Sequence, residues 1–543
     1  MACLRTQLAS NRGRGFLLIL NVINMDALIN LIHHIRKNKI KNLKIFHYGV
    51  IRPQSKMGQL YRSLYEQSDR INNQEIARSL GFRSSTDPIF RNLKNDLKNR
   101  LVNTLLLIEP GDKEVDPMRK AYMSCWKEWA AAKILFARQA HPAGLDLAHK
   151  VLRRAKKYGF TEMALHSSKC LRLYYSEQAP DPKKYAEYDR LTKHYQELYS
   201  WENQAENEYL DLMTIFDRPA DHKSDLASQA FSAFAKLKPA LQQYTSCRLI
   251  RLAKSIQMTG HLHRQEHGEV IRTCDEALEL LLDNGFAPRE SLAVFLYHKL
   301  QAQIRLREFQ AGEYTARQTT ELAVFGSTFW FKSQELSIML ALHSRAYTQA
   351  DQILARVKAH KNFFRQEPET QEKWTILEGY LAFLRSTGKI AAPGGTVLNK
   401  RFRVSRLINA VPQHTKEKRG MNIPILILQV LFTISRHQYQ KAIDRMEAIE
   451  KYCFRYLRKD ETFRSNCFLK MLLLVPAHGF QRQLVERHAA PLFQQLCEMP
   501  LSQSPQDIGI EIIPYEDLWP MALDTLGNRH YWRHDQRGRR IHP

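Results

Sequence analysis

Apolar residues recur three and four positions apart along almost the whole chain, the period of an amphipathic helix, and no strand-rich region interrupts that rhythm. From Ala27 to Phe46 the apolar positions Leu28, Ile32, Ile35, Ile40 and Leu43 are interleaved with Arg36, Lys37, Lys39, Lys41 and Lys44, which predicts a basic amphipathic helix or helix pair. After Pro53 comes Leu60-Tyr61-x-x-Leu64-Tyr65, then Asn72-Asn73 as a cap, then a short helix over Glu75 to Leu80. Its Ile76, Ala77 and Leu80 face inward, and Gly81 stops it where a left-handed cap costs little. A second helix opens at Ser85, Thr86 or Asp87 with Pro88 in its first turn, and Leu93, Leu97, Leu101 and Leu105 fall on one row. The pattern is that of a helix-turn-helix-like unit. Arg91, Lys94, Lys98 and Arg100 decorate the second helix, as in a DNA reader. The leucine row outruns the usual recognition helix, and a structural three-helix unit is the favoured alternative.

After Pro110-Gly111-Asp112 the pattern becomes one of repeated helix pairs. Two helices that cross closely need a small residue at the crossing, with an aromatic or large apolar residue three positions before it and apolar or small ones about four and seven after. Tyr347-x-x-Ala350 with Leu354 and Val357 fits, as do Tyr439-x-x-Ala442 with Met446 and Ile449, and Leu145-x-x-Ala148 with Leu152 and Ala155. Phe309-x-x-Gly312 with Ala316 is a weaker copy, 38 residues before Ala350. Leu292, Leu296, Leu300 and Ile304 form an inward row ahead of it, and Trp374, Leu377 and Tyr380 another beyond the Ala350 copy. Over residues 120–460 the chain thereby resembles tetratricopeptide-like proteins, which implies an all-α fold, a helical-hairpin α-solenoid with a concave surface. The interval exceeds the family's usual repeat of about 34 residues, so longer helices or loops are expected. Lys416-Glu417-Lys418-Arg419-Gly420-Met421-Asn422-Ile423-Pro424, Ala448-Ile449-Glu450-Lys451-Tyr452-Cys453 with Arg458-Lys459-Asp460, and Ile512-Ile513-Pro514-Tyr515-Glu516-Asp517-Leu518-Trp519 resemble an uncharacterised group of bacterial helical-repeat proteins of Bacteroidota type. That likeness carries no activity and no functional residue with it.

The expected organisation is a non-native or disordered extension over 1–24, a basic helical unit over 25–110 and repeats over 111–387. A basic irregular connection over 388–424 follows, with further repeats and a cap over 425–528 and a loose basic tail over 529–543. Met25 is read as the true start, because helical patterning begins just after it. The faint signal-peptide shape of Arg12, Arg14 and Phe16 to Ile23 lacks a cleavage site. Ile423 to Ile434, the longest apolar run, is too short and too interrupted to span a bilayer and reads as a buried central helix.

The 543 residues are 44% hydrophobic, enough for a full core, and 81 Lys+Arg against 55 Asp+Glu leave a net charge of +26. Such a balance favours nucleic acid, an anionic surface or an acidic protein as partner. Eight separated cysteines without C-x-x-C spacing suit reduced thiols in small core positions and a cytoplasmic setting. His263-x-x-x-His267 has the spacing of two ligands on one helical face, yet no H-E-x-x-H accompanies it, and a surface histidine cluster is the favoured reading. No phosphate-binding loop and no nucleophile elbow is present, so neither catalytic residues nor a cofactor nor a metal is assigned.

The strongest charge feature is a candidate groove for an anionic partner. Arg401, Arg403, Arg406, Lys416, Lys418 and Arg419 supply its connection side, and Lys451, Arg455, Arg458 and Lys459 share roughly one helical face. Alternatively, Glu511, Glu516 and Asp517, with Tyr515 and Trp519, fold back as a cap and pair with those cations. Arg455→Ala with Arg458→Ala separates the two readings, through lost thermal stability for the cap or lost partner capture for the groove. The sequence therefore points to a protein- or peptide-binding scaffold, with a nucleic-acid-binding regulator as the alternative.

Overall fold

The computed structural model describes residues 28–29, 31–32, 54–66, 73–107, 116–216, 225–283, 285, 287–390, 422–456, 462–527, 533–534 and 540–541. The side chains of 216, 422, 447–449 and 451–456 and of the last four residues are excepted. The proposed Met25 start and residues 1–24 fall outside that set. Twenty α-helices occupy these residues, and consecutive helices pack as pairs, the expected all-α hairpin array. The chain forms two compact units, Met1–Asp189 and Arg190–Pro543.

In the first unit the helix Asn73–Ser79 ends as the sequence predicts. Gly81 adopts φ +79°, and the Phe82 N–H donates back to the Ala77 carbonyl at 2.9 Å. Asp87 is the residue that opens the helix Pro88–Leu107, its Oδ1 accepting from the Ile89 N–H at 2.9 Å. Ile76, Ala77, Leu80, Phe82, Phe90, Leu97 and Leu101 close one core with Leu28, Ile32, Leu60 and Leu64. The hairpin Pro117–Ala137 with His141–Tyr158 follows, and the predicted crossing residue Ala148 is fully buried in it.

In the second unit the crossing residues Gly312, Ala350 and Ala442 are all buried. Tyr347 and Tyr439 each begin a helix, as does Phe309. At Gly312 a Cβ would lie 3.0 Å from Leu340 Cδ1, so even a methyl group would press on that leucine tip at this crossing. Gly312→Leu is expected to cost about 1–3 kcal/mol by overpacking, read as a lower urea midpoint. An unchanged midpoint would show that the crossing has room. The helix Asn422–Ser435 is the buried central helix anticipated, its Ile423, Ile427, Leu428, Val430 and Leu431 facing neighbours on all sides. One apolar core runs from Leu300 through this helix to Leu526.

A repeated turn went unrecognised in the sequence. Gln139, Gln265, Arg307, Arg345, His437 and Phe480 all have φ between +56° and +62°, and each sits two residues before the second helix of a hairpin. In four of these turns the next N–H donates to a carbonyl five positions back: Ala140 to Leu135, Glu266 to His261, Glu308 to Gln303 and Gln438 to Thr433. The left-handed conformation costs an L-residue about 1–2 kcal/mol, offset here by the packing that the reversal permits.

The final segment, expected to be without regular structure, carries a two-residue antiparallel pairing of Arg533–His534 with Arg540–Ile541. No described helix is long and apolar enough to cross a membrane.

Candidate functional site: a polar cleft beside a charged C-terminal clasp

After the helix Arg482–Glu498 the chain turns back across the hairpins of the second unit and forms the helix Tyr515–Asp524. Arg464, in the first turn of Phe463–Ala477, is wholly buried beneath it. Its Nε and Nη2 donate to the Glu511 carboxylate at 2.9 and 2.6 Å, and Nη2 also reaches Glu516 at 2.7 Å. Nη1 donates to the carbonyls of Leu496 and Met499 at 3.1 and 2.6 Å. Burial opposes the charge, but the two carboxylates outweigh it and hold Arg464 protonated even more firmly than usual. Burial likewise raises the Glu516 carboxyl, and Arg464 beside it brings it below its ordinary range.

The turn residues Arg307 and Arg345 join this clasp. Arg307 pairs with Glu516 at 3.1 Å and Arg345 with Asp517 at 2.5 Å. Arg305 donates to the carbonyls of Leu501, Ser504 and Gln506. His343, fully enclosed, donates from Nε2 to the Glu511 carbonyl at 3.0 Å, and burial lowers its pKa to about 4. The expected fold-back of the acidic segment is thus present. Among the described residues its cations are Arg464, Arg307 and Arg345, none of which the sequence reading had named. Arg403, Arg406, Lys418, Arg419, Arg458 and Lys459 lie outside the described residues, and of Lys451 and Arg455 only the helical backbone is described.

The other candidates are distributed as follows. Lys94 is 3% exposed and lies with its ammonium 5.1 Å from the Phe90 ring, while Arg91 and Lys98 are half-buried. Burial, reinforced by Arg91, lowers the Lys94 pKa. His263 and His267 do not share a helix. Cys247–His263 ends at the first and His267–Asp283 begins at the second, across the turn at Gln265. His267 is buried rather than part of a surface cluster, because its helix turns it into the core. No group of three or more metal-ligating side chains occurs among the described residues. The six cysteines with described side chains are unpaired, and Cys497 is exposed where a core position was expected.

Exposed polar side chains gather around a cleft of about 570 Å³. Glu313, Arg317 and Glu321 line one wall from the helix Phe309–Leu322, and Gln349, Gln352 and Arg356 line the other from Tyr347–Ala359. Its floor is Ser337, Leu340 and Ala341 of the intervening helix Thr328–His343 with Ser344, which caps that helix. Leu340 is the same residue that fills the space above Gly312, so the close crossing sets the floor. Gln334, buried beneath, accepts from Arg356 Nη2 at 2.8 Å and donates to Thr320 Oγ1 at 3.4 Å, which fixes the guanidinium at one wall. Glu313, Arg317, Glu321, Gln349 and Gln352 have no hydrogen-bond or ion-pair partner among the described residues, and Arg356 has no carboxylate. No family model, curated protein or solved structure matches the chain. The site is therefore read from its own chemistry. Carboxamides supply both donors and acceptors, the two walls carry both signs of charge, and the floor is partly apolar.

Proposed function

We propose that the protein is a cytoplasmic helical-repeat scaffold of tetratricopeptide-like type, which holds an extended segment of a partner protein in the cleft between Phe309–Leu322 and Tyr347–Ala359. The observation that carries this reading is the set of unpartnered donors and acceptors spread along both walls. A peptide backbone offers N–H and C=O groups at regular intervals, which carboxamides at Gln349 and Gln352 match. Arg356, oriented by Gln334 and lacking an acid, suits a carboxylate on the bound segment. A volume of about 570 Å³ lies within the range of compact ligand pockets and holds a few residues. The reading assigns no catalytic step to the chain.

Selection from a random octapeptide display library tests it. The enriched peptides are expected to lose about tenfold or more in affinity with Arg356→Ala, and similarly with Gln352→Trp, which obstructs the rim. Gln352 is exposed and without a side-chain partner among the described residues, so its substitution should not move the thermal midpoint. Arg356→Ala instead removes the donor of the buried Gln334 amide oxygen and should lower that midpoint, at a cost of about 1–3 kcal/mol. A library that yields no peptide sensitive to either substitution would refute the assignment.

The helix-turn-helix-like geometry around Gly81 and Asp87 supports a second reading, a nucleic-acid-binding regulator with the repeats as its sensor. Four cations, Arg91, Lys94, Lys98 and Arg100, lie on the second helix, and Lys94 is engaged by Phe90. This reading requires a low-salt gel shift that Arg91→Ala and Lys98→Ala remove. Under the scaffold reading those two substitutions leave any shift unchanged.

A further inference from the structure

Two consecutive inter-hairpin turns, residues 323–327 and 360–366, are locked to each other. Asn362 donates from Nδ2 to the Gly326 carbonyl at 3.2 Å, and the Phe325 ring meets His360 edge-on with centroids 4.7 Å apart. His360 packs in turn against Trp330 and Phe331, and its Nδ1 accepts from the Asn362 N–H. Phe363 is buried and anchors the second turn. From this base three apolar side chains project, with Val324 55%, Phe325 66% and Phe364 77% exposed. Single exposed apolar residues are ordinary, but three on two interlocked turns make a patch. Lys361 and Arg365 both sit in the second turn, exposed and without a side-chain partner among the described residues. Neither turn contains a carboxylate, and Glu321 and Glu367 flank them in sequence.

We infer that these turns dock the protein on an anionic lipid bilayer. Phe325 and Phe364 enter the boundary of the acyl region, and Lys361 and Arg365 meet the headgroups. A patch of three side chains is far below the about 800 Å² per partner of a standard protein interface. Attachment to a membrane surface needs only modest apolar insertion together with attraction of cations to anionic lipid. Lysine is depleted from the cores of protein interfaces, whereas beside an inserted ring it lies naturally at headgroup level. Protruding rings also need no complementary cavity in a fluid interface. The net charge of +26 adds long-range attraction to the same surface. This docking is independent of what fills the cleft.

Vesicle co-sedimentation of the full chain tests the inference. Because so basic a protein is drawn to any anionic vesicle, the deciding quantity is dependence on the aromatic tips. With phosphatidylcholine vesicles containing about one-third phosphatidylserine, Phe325→Ser with Phe364→Ser is expected to lower the affinity about fivefold or more. Lys361→Glu with Arg365→Glu is expected to do the same without shifting the thermal midpoint. Phe364→Ser alone, which leaves the Phe325 ring on His360 and Trp330, should weaken binding at an unchanged midpoint. Phe364→Trp should show a blue-shifted emission on these vesicles. Wild-type protein that fails to sediment, serine variants that sediment equally, or an unshifted emission from the Phe364→Trp variant would each overturn the inference. So would a wild-type dimer in solution that the serine variants convert to monomer, since a second copy would then cover the patch.

Discussion

Arg464→Leu is expected to destabilise the second unit by about 3–5 kcal/mol, measured as a fall in the urea midpoint at unchanged slope. The guanidinium is entirely enclosed, and its removal strands the Glu511 carboxylate and the Leu496 and Met499 carbonyls in the interior. Glu511 would retain only the Tyr515 N–H, 2.8 Å away. Arg464→Lys keeps the charge but cannot serve two carboxylates and two carbonyls with one ammonium, so an intermediate loss is expected. Arg307→Ala and Arg345→Ala break ion pairs whose arginines are largely exposed, and each should cost at most about 1 kcal/mol. Because the Arg464 cluster is sealed from solvent, its contribution should persist at high salt, unlike the outer pairs. An Arg464→Leu loss below that of Arg345→Ala would show that apolar packing alone holds the segment.

Acidification below about pH 6.5 should weaken the fold through its buried histidines. Burial lowers the pKa of His343, His267 and His298 to about 4. An unfolded histidine titrates near 6.5. Below about pH 6.5 the unfolded chain therefore binds protons that the folded chain refuses, and stability is lost as pH falls from there toward 4. The loss is about 1.4 kcal/mol per pH unit for each such histidine, so His343 alone contributes about 2 kcal/mol by pH 5. Glu516 acts in a lower window. Its pKa lies below the ordinary carboxylate value, so its contribution is intact between pH 5 and 7 and is lost only on further acidification. His343→Gln keeps an N–H for the Glu511 carbonyl and does not titrate, so it should flatten part of the pH profile between 7 and 5. An unchanged difference in urea midpoint between those two pH values would show that His343 does not titrate in this way.

The helices, the close crossings and the stop at Gly81 were legible because each depends on a local rule with a residue type attached. A small residue after an aromatic one marks a crossing, and glycine marks a left-handed cap. The return of Glu511, Glu516 and Asp517 was legible as acid seeking base. Its recipients were not, because Arg464, Arg307 and Arg345 are scattered singly through the chain, and their roles follow from where three hairpins bring them. Density of charge along the sequence is a poor guide to that geometry. The six turns escaped notice for a different reason. The rule for a left-handed position looks for glycine or asparagine, and here it is occupied by Gln, Arg, His and Phe. His267 shows the same limit. A spacing of four implied a shared face only if one helix continued through it, and the helix stops between the two histidines. The cleft was beyond reach because its walls come from separate hairpins, and no run of residues announces it.

The clasp also sets a schedule for synthesis. Arg464 and Glu511 are 47 positions apart, and the carboxylate is made second. At about 5–20 residues per second, translation leaves the guanidinium waiting about 2–10 s for its counter-charge. Through that interval the nascent chain has no means of burying Arg464 favourably, so the last hairpin must stay open or solvated on the ribosome. A polypeptide cut short before Glu511 would never pass beyond that state, and its Phe468, without Tyr515 and Trp519 against it, would mark it for chaperones and proteases.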